Sequence, residues 1–228
     1  GVQISGGFSE YISVPQSNII KIPDDIDDDI AAIFDPLGNA FHTALSFDLV
    51  GEDVLITGAG PIGIMAAKLC QTIGARKVIL TDINSERINL AKNLDIKLSY
   101  NIKQNTLESI MELNNMKEGF DIGLEMSGSG KAFNDMIKVM NNGGKIAILG
   151  ISPTAFEVNW NEIIFKMLEV KGIYGREMYE TWYKMIALIQ SGLNIKNIIT
   201  HKFHFTDFQK AFAIMKEGNC GKIILEWS

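Results

Sequence analysis

Cysteine is scarce: Cys70 and Cys220 are the only two in 228 residues, and they lie far apart. That excludes a disulfide framework and a cysteine metal knuckle, and it suits a reducing, cytoplasmic setting. Cys70 falls inside a helical pattern and reads as a buried thiol. Positive charge is also short, with 21 Lys and Arg against 27 Asp and Glu, a formal net charge of −6. No basic face is available to neutralise phosphates, so nucleic acid is excluded as a partner. No apolar run approaches the ~18 residues that span a bilayer, and no signal-peptide pattern opens the chain. An initiating Met is missing too: the chain begins at Gly1, and it is expected to be a piece of something longer. Repeats and low-complexity linkers are absent. The remainder is 46% hydrophobic and 21% charged, the make-up of a globular protein with a sizeable core. The length suits one large domain or a domain and a half.

The most informative stretch runs from Asp53 to Gly63, Asp-Val-Leu-Ile-Thr-Gly-Ala-Gly-Pro-Ile-Gly. Val54, Leu55 and Ile56 form the short apolar run of a parallel strand covered on both faces. Gly58, Gly60 and Gly63 fit G-x-G-x-x-G. The first allows a tight turn, the second lets the backbone approach a pyrophosphate, and the third lets helix and strand pack closely. Pro61 suits a first helical turn, where its missing N–H costs nothing. Ile62, Met65, Ala66, Leu69 and Ile73 then repeat at helical spacing. The N-terminus of that helix offers free N–H groups and partial positive charge to a diphosphate. Lys77 to Asp82 reads as a second strand ending in an acid. Asp82 lies 19 positions beyond Gly63, near the ~20 expected of a carboxylate that accepts the ribose hydroxyls of NAD and repels the 2′-phosphate of NADP. Arg87 is either a neighbour of the adenosine or a solvated residue on the next helix.

Around this unit the chain divides in three. Residues 1–34 begin with alternation at Phe8–Val14 and a second short run at Ile19–Pro23, which predict two strands. Neither buries itself alone. The acid run Asp24–Asp29 reads as a solvated helix N-terminus rather than a metal site. A helical pattern through Phe34 pauses at Asp35-Pro36-Leu37-Gly38-Asn39 and resumes from Ala40 to Asp48. Residues 35–177 carry the nucleotide unit. Strands are expected at 53–57, 77–82, 98–101, 120–125, 144–149 and 169–174, with helices at 61–73, 84–94, 106–115 and 130–141. The fold class is therefore α/β, a doubly wound parallel six-stranded Rossmann sheet. Ligands in such sheets sit at the carboxyl ends of strands. This nominates Leu149, Gly150 and Ile151, then Ile173 and Tyr174, either as walls of the nicotinamide end or as ordinary strand ends; Ser127-Gly128 lies on the same rim. Residues 178–228 form a return segment. Trp182, Met185, Ile186 and Ile189 mark a packing face. His201 and His204 on a strand point to opposite faces and make no joint metal site. Thr206 with Gln209 has the form of a capping box, and Lys222–Trp227 reads as a last strand.

Three segments in combination carry a resemblance: Phe34 to Ala44 with its Asp-Pro-Leu-Gly-Asn core, Gly58 to Gly63, and Gly172-Ile173-Tyr174-Gly175-Arg176-Glu177. Together they resemble the zinc-dependent medium-chain dehydrogenases from Gly1 to Ser228. Gly123–Gly128 and Thr181–Met185 narrow the likeness to members that oxidise L-threonine. The resemblance implies hydride transfer from the threonine β-hydroxyl carbon to NAD. It also implies a catalytic zinc whose ligands lie mostly in an N-terminal GroES-like β-rich domain, of which residues 1–34 and 178–228 would be remnants. This chain alone is then expected to be inactive, with no metal ligand of its own assigned. The same likeness implies that Asp35 is a catalytic acid beside the zinc. It implies that Ile62, Asp82, Arg87, Leu149, Gly150, Ile151, Ile173 and Tyr174 contact NAD, and that the intact protein is a homotetramer paired through the strand near 169–174. His42 either lines the Asp35 cleft or simply packs. A secondary-alcohol or polyol dehydrogenase, or a non-catalytic dinucleotide-binding module, are the other readings.

Overall fold

Alternation of strand and helix from Asp53 onwards produces the sheet that positions everything else. In the computed structural model, which describes residues 4–227, six parallel strands form it. They are β1 (Asp53–Thr57), β2 (Lys77–Asp82), β3 (Ser99–Asn101), β4 (Phe120–Glu125), β5 (Met140–Ile148) and β6 (Glu169–Gly172). Their order is β3-β2-β1-β4-β5-β6, so the chain winds out from β1 in both directions. In the register Val54 lies beside Val78 on one side and Ile122 on the other. Residues 1–3 and 228, at the ends of the segments assigned above, lie outside the described residues.

Every residue of β1 is buried because helices cover both faces. The helices are α1 (Asp28–Ala32), α2 (Phe34–Ala44), α3 (Pro61–Ile73), α4 (Ser85–Asn93), α5 (Leu107–Leu113), α6 (Gly130–Val139), α7 (Trp160–Phe165), α8 (Glu180–Gln190) and α9 (Phe208–Glu217). The two-residue period of the strand splits the core into layers. Val54, Ile56, Val78 and Leu124 join Leu37, Phe41, Met65 and Met185 on the α2, α3 and α8 side. Leu55, Ile79, Phe120 and Ile146 join Ile110, Phe133 and Met136 under α5 and α6. Each such side chain fully removed from water contributes roughly 1.5–3 kcal/mol. Cys70 is fully buried among them, and burial pushes its thiol up to about 12.

Beyond β6 the chain builds a separate two-stranded parallel sheet from β7 (Ile199–His204) and β8 (Lys222–Glu226), joined through α9. Phe205, Trp227 and Phe8 stack along its end, with ring centroids 5.2 and 6.2 Å apart.

Several expectations change. Residues 4–23 form no strand: apart from a single 3-10 turn at Gln16–Asn18 the segment is loop, with Phe8 and Tyr11 exposed. Alternation alone does not make a strand without a partner edge. The expected pause at Asp35–Asn39 is helical, because α2 starts at Phe34 and places Pro36 in its first turn, where no N–H is needed; the helix ends at Ala44 rather than Asp48. Strand β5 begins at Met140, inside the expected helix end, and a bulge after Phe120 absorbs Gly143 with its φ of 76°. The capping box fails: α9 starts at Phe208, and Thr206 belongs to a 3-10 turn capped by His204. Asp27 caps α1 by accepting from the Asp29 N–H, and Lys196 holds its carboxyl below the usual range, as suits a solvated helix start.

Candidate functional site

The glycines meet the demands placed on them. Gly58 follows β1 with φ 98°, and a Cβ there would come within 3.0 Å of the Ser127 backbone. A Cβ on Gly63 would lie 1.9 Å from the Gly58 carbonyl oxygen, so no other residue fits that helix–strand contact. Gly60, the residue before α3, meets nothing within 4 Å, which leaves the approach to the helix N-terminus open. Pro61 opens α3, and Ile62 is half-buried against the core.

Asp82 ends β2 and is 8% exposed. Its Oδ2 accepts from the Ala59 N–H at 2.7 Å and its Oδ1 from the Asn84 N–H at 2.8 Å. The carboxylate therefore staples the glycine turn, and each oxygen retains a lone pair for a ligand hydroxyl. Arg87 on α4 lies 3.8 Å from Asp82, while its Nε donates to the Gly218 carbonyl at 3.2 Å. It lies in the cleft beside the acid and ties the turn after α9 to it.

Thr57, Gly58, Gly60, Asp82 and Arg87 line one cleft of ≈ 540 Å³, closed on the far side by Ile102, Leu107, Met126 and Ala132. The size and the mostly apolar walls suit a cofactor. Lys103 borders it, with no ion-pair partner among the described residues. Lys131 pairs with Asp135 along α6. Burial works to raise the Asp135 carboxyl, but hydrogen bonds from Lys131 and Lys138 outweigh it and hold it below the usual range.

The remaining nominated residues lie along the next strand ends and outside that cleft. Leu149 and Gly150 donate their N–H groups to the Glu125 carbonyl at 2.9 and 3.0 Å, and Ile151 is exposed. Ile173 is buried after β6, its N–H bonded to the Ile148 carbonyl, while Tyr174 is exposed. Ser127 and Gly128 sit between the two groups. Beneath them lies Glu125, buried at the end of β4 and missed by motif reading. Its only sequence signal is an acid at the carboxyl end of an apolar strand.

Asp35 stands in the first turn of α2 with an exposed side chain, paired with Arg176. The Arg176 guanidinium lies 4.6 Å over the Trp182 ring, and Trp182 stacks on Phe34 at 5.4 Å. His42 does not join Asp35: its Nδ1 bonds the Gly175 carbonyl at 3.0 Å, and its Nε2 lies 3.6 Å from Glu177, so it braces the loop after β6. Among the described residues no three His, Cys, Asp or Glu side chains converge as a metal site. A tetrahedral zinc needs at least three protein ligands, and the residues described here do not hold one.

The profile of zinc-binding dehydrogenases matches residues 61–191, more than half of the chain. L-threonine 3-dehydrogenase of Chelativorans sp. (strain BNC1) is 62% identical over 227 residues, which cover 100% of this chain and 66% of that protein. The enzyme of the same name from Anaeromyxobacter dehalogenans (strain 2CP-C) is 54% identical over the same span. The chain thus covers about two thirds of the length of these relatives. Among solved structures, an Escherichia coli CFT073 alcohol dehydrogenase complexed with NADH superposes with a TM-score of 0.87 at 25% identity, over 98% of this chain and 66% of that one. The 2R,3R-butanediol dehydrogenase of Bacillus subtilis shares the fold, with a TM-score of 0.87 over 97% of this chain and 64% of that one, at 24% identity. No helix among the described residues is long and apolar enough to cross a membrane. With a glycine turn, a stapled acid and relatives that match along its whole length, this chain belongs to the zinc-binding dehydrogenase family.

Proposed function

We propose that this chain is the NAD-binding part of an enzyme that oxidises L-threonine to 2-amino-3-oxobutanoate. The observation that carries the proposal is identity of 54–62% to L-threonine 3-dehydrogenases along the entire chain. The glycine turn and Asp82 supply the matching chemistry. The pyrophosphate lies over Gly60 at the N-terminus of α3, and Asp82 accepts the adenosine ribose hydroxyls. The nicotinamide half follows the ends of β4, β5 and β6, past Leu149, Gly150, Ile151, Ile173 and Tyr174. NAD bound there would accept a hydride from the β-carbon of threonine, the hydroxyl proton passing to solvent, to give the ketone and NADH. In this reading Asp35, exposed in the first turn of α2, would be the acid beside the zinc. Zinc belongs to the same proposal, and its ligands lie outside these residues; when bound it polarises the substrate oxygen.

A cytoplasmic setting and a homotetramer complete the reading. The edge of β6 is unpaired in the sheet order, and Val170, Phe165 and Met167 are exposed beside it. Such an edge suits strand pairing across a two-fold axis. The test is substrate oxidation by the full-length protein. L-threonine is expected to yield NADH while sorbitol and 2,3-butanediol do not. Equal rates on all three would overturn the threonine assignment in favour of a general secondary-alcohol dehydrogenase.

A further inference from the structure

Three strand ends meet at one buried residue. Glu125 closes β4 and is 2% exposed. Its Oε1 accepts from the Thr57 hydroxyl at 3.2 Å, from the Ser127 N–H at 2.9 Å and from the Gly128 N–H at 3.1 Å. The Ser127 hydroxyl bonds the same oxygen, and Oε2 accepts from the Gly128 N–H at 3.2 Å. Thr57 is the last residue of β1, directly before the glycine turn. The Glu125 main-chain carbonyl takes the N–H groups of Leu149 and Gly150 after β5. One residue therefore fixes the rims of β1, β4 and β5.

The fit around it is close. A Cβ on Gly150 would lie 2.4 Å from Glu125 Oε2 and 2.2 Å from the Gly128 nitrogen. No side chain fits at position 150 without displacing the carboxylate or the Gly128 backbone. A buried acid is costly unless its oxygens are satisfied, and here four donors from Thr57, Ser127 and Gly128 satisfy them, so the carboxylate and the rim hold each other in place. The sheet order puts Asp82 on the β2 side of β1; Thr57 and Ser127 line the β4 side of the same cleft, and Gly128, Leu149 and Gly150 continue the rim from there toward the end of β5, where the second half of a dinucleotide would run.

We propose that Glu125 is the positioning residue for the nicotinamide half of the cofactor, holding Thr57, Ser127 and Gly128 in the shape that half requires. It touches no ligand itself and acts through those three residues. This rests on the dinucleotide reading of the cleft.

The test compares two ligands on the full-length protein, NAD and AMP, the latter carrying only the adenosine half. In Glu125→Gln an amide N–H₂ replaces an acceptor and faces the Gly128 N–H. NAD is expected to bind roughly ten-fold or more weakly, the effect of losing a buried charged hydrogen-bond hub, while AMP changes by less than about two-fold. Ser127→Ala removes one donor and keeps the backbone bonds. It gives a smaller loss of the same selectivity, and it serves as the readout where Glu125→Gln does not fold. Equal weakening of both ligands, or no weakening of NAD, would overturn the proposal. A wild-type protein that binds neither ligand would instead overturn the dinucleotide reading itself.

Discussion

The sheet from β1 to β6 and the flanks around it are built from the same kinds of residue but obey different constraints. Within the sheet, Val54, Leu55 and Ile56 are each fully buried, and neighbouring strands on both sides satisfy their backbone. In the flanks, Phe8, Phe208 and Phe212 remain exposed, and among the described residues β7 and β8 pair only with each other. Parallel strands normally occur with both faces covered and several partners. The difference teaches that burial follows position rather than residue type: the flanks give Ile30, Phe34, Met185 and Ile198 to the sheet's core, yet leave Phe8, Phe208 and Phe212 at the surface.

Substitutions in the two regions should separate sharply. Gly63→Val would have the largest effect. Its side chain has no room beside the Gly58 carbonyl, so destabilisation of about 3 kcal/mol and loss of NAD binding are expected, read by thermal unfolding and by titration. Next, Asp82→Ala is expected to weaken NAD by roughly 100-fold, through loss of charged hydrogen bonds, and to narrow the gap to NADP. An unchanged NAD to NADP ratio would show that this acid only staples the turn. Phe8→Ala, in the flank, is expected to change stability by less than about 1 kcal/mol, because its ring is exposed despite stacking on Trp227. A larger loss would show that the flank is as integral as the sheet. Smallest in energy is a chemical contrast. Burial pushes the Cys70 thiol up to about 12, so at pH 8 an alkylating reagent should label it only after denaturation.

What the sequence revealed follows the same division. Strands β1, β2 and β4 were legible because each is a short apolar run buried on both faces, and the glycine turn because only glycine meets its steric demands. Asp82 was legible by spacing, yet its second task, holding the Ala59 N–H, was not: that bond joins residues 23 positions apart. Arg87 could not be placed from sequence, since its partner Gly218 lies 131 positions away. Alternation at Phe8–Val14 misled because strand formation depends on a neighbour that local pattern does not report. Asp35-Pro36 misled in the opposite sense, because a proline that stops a helix from within is tolerated in its first turn. Glu125 escaped notice because a buried acid declares itself only through its donors, and one of them, Thr57, lies 68 positions away.

The choice of cofactor is the most direct readout of the cleft around Asp82. NAD and NADP should be titrated against the full-length protein, with binding followed calorimetrically. The expected result is saturable NAD binding with NADP at least about ten-fold weaker, since a 2′-phosphate would meet the Asp82 carboxylate. Equal or tighter binding of NADP, or no binding of either, would contradict the assignment of this cleft.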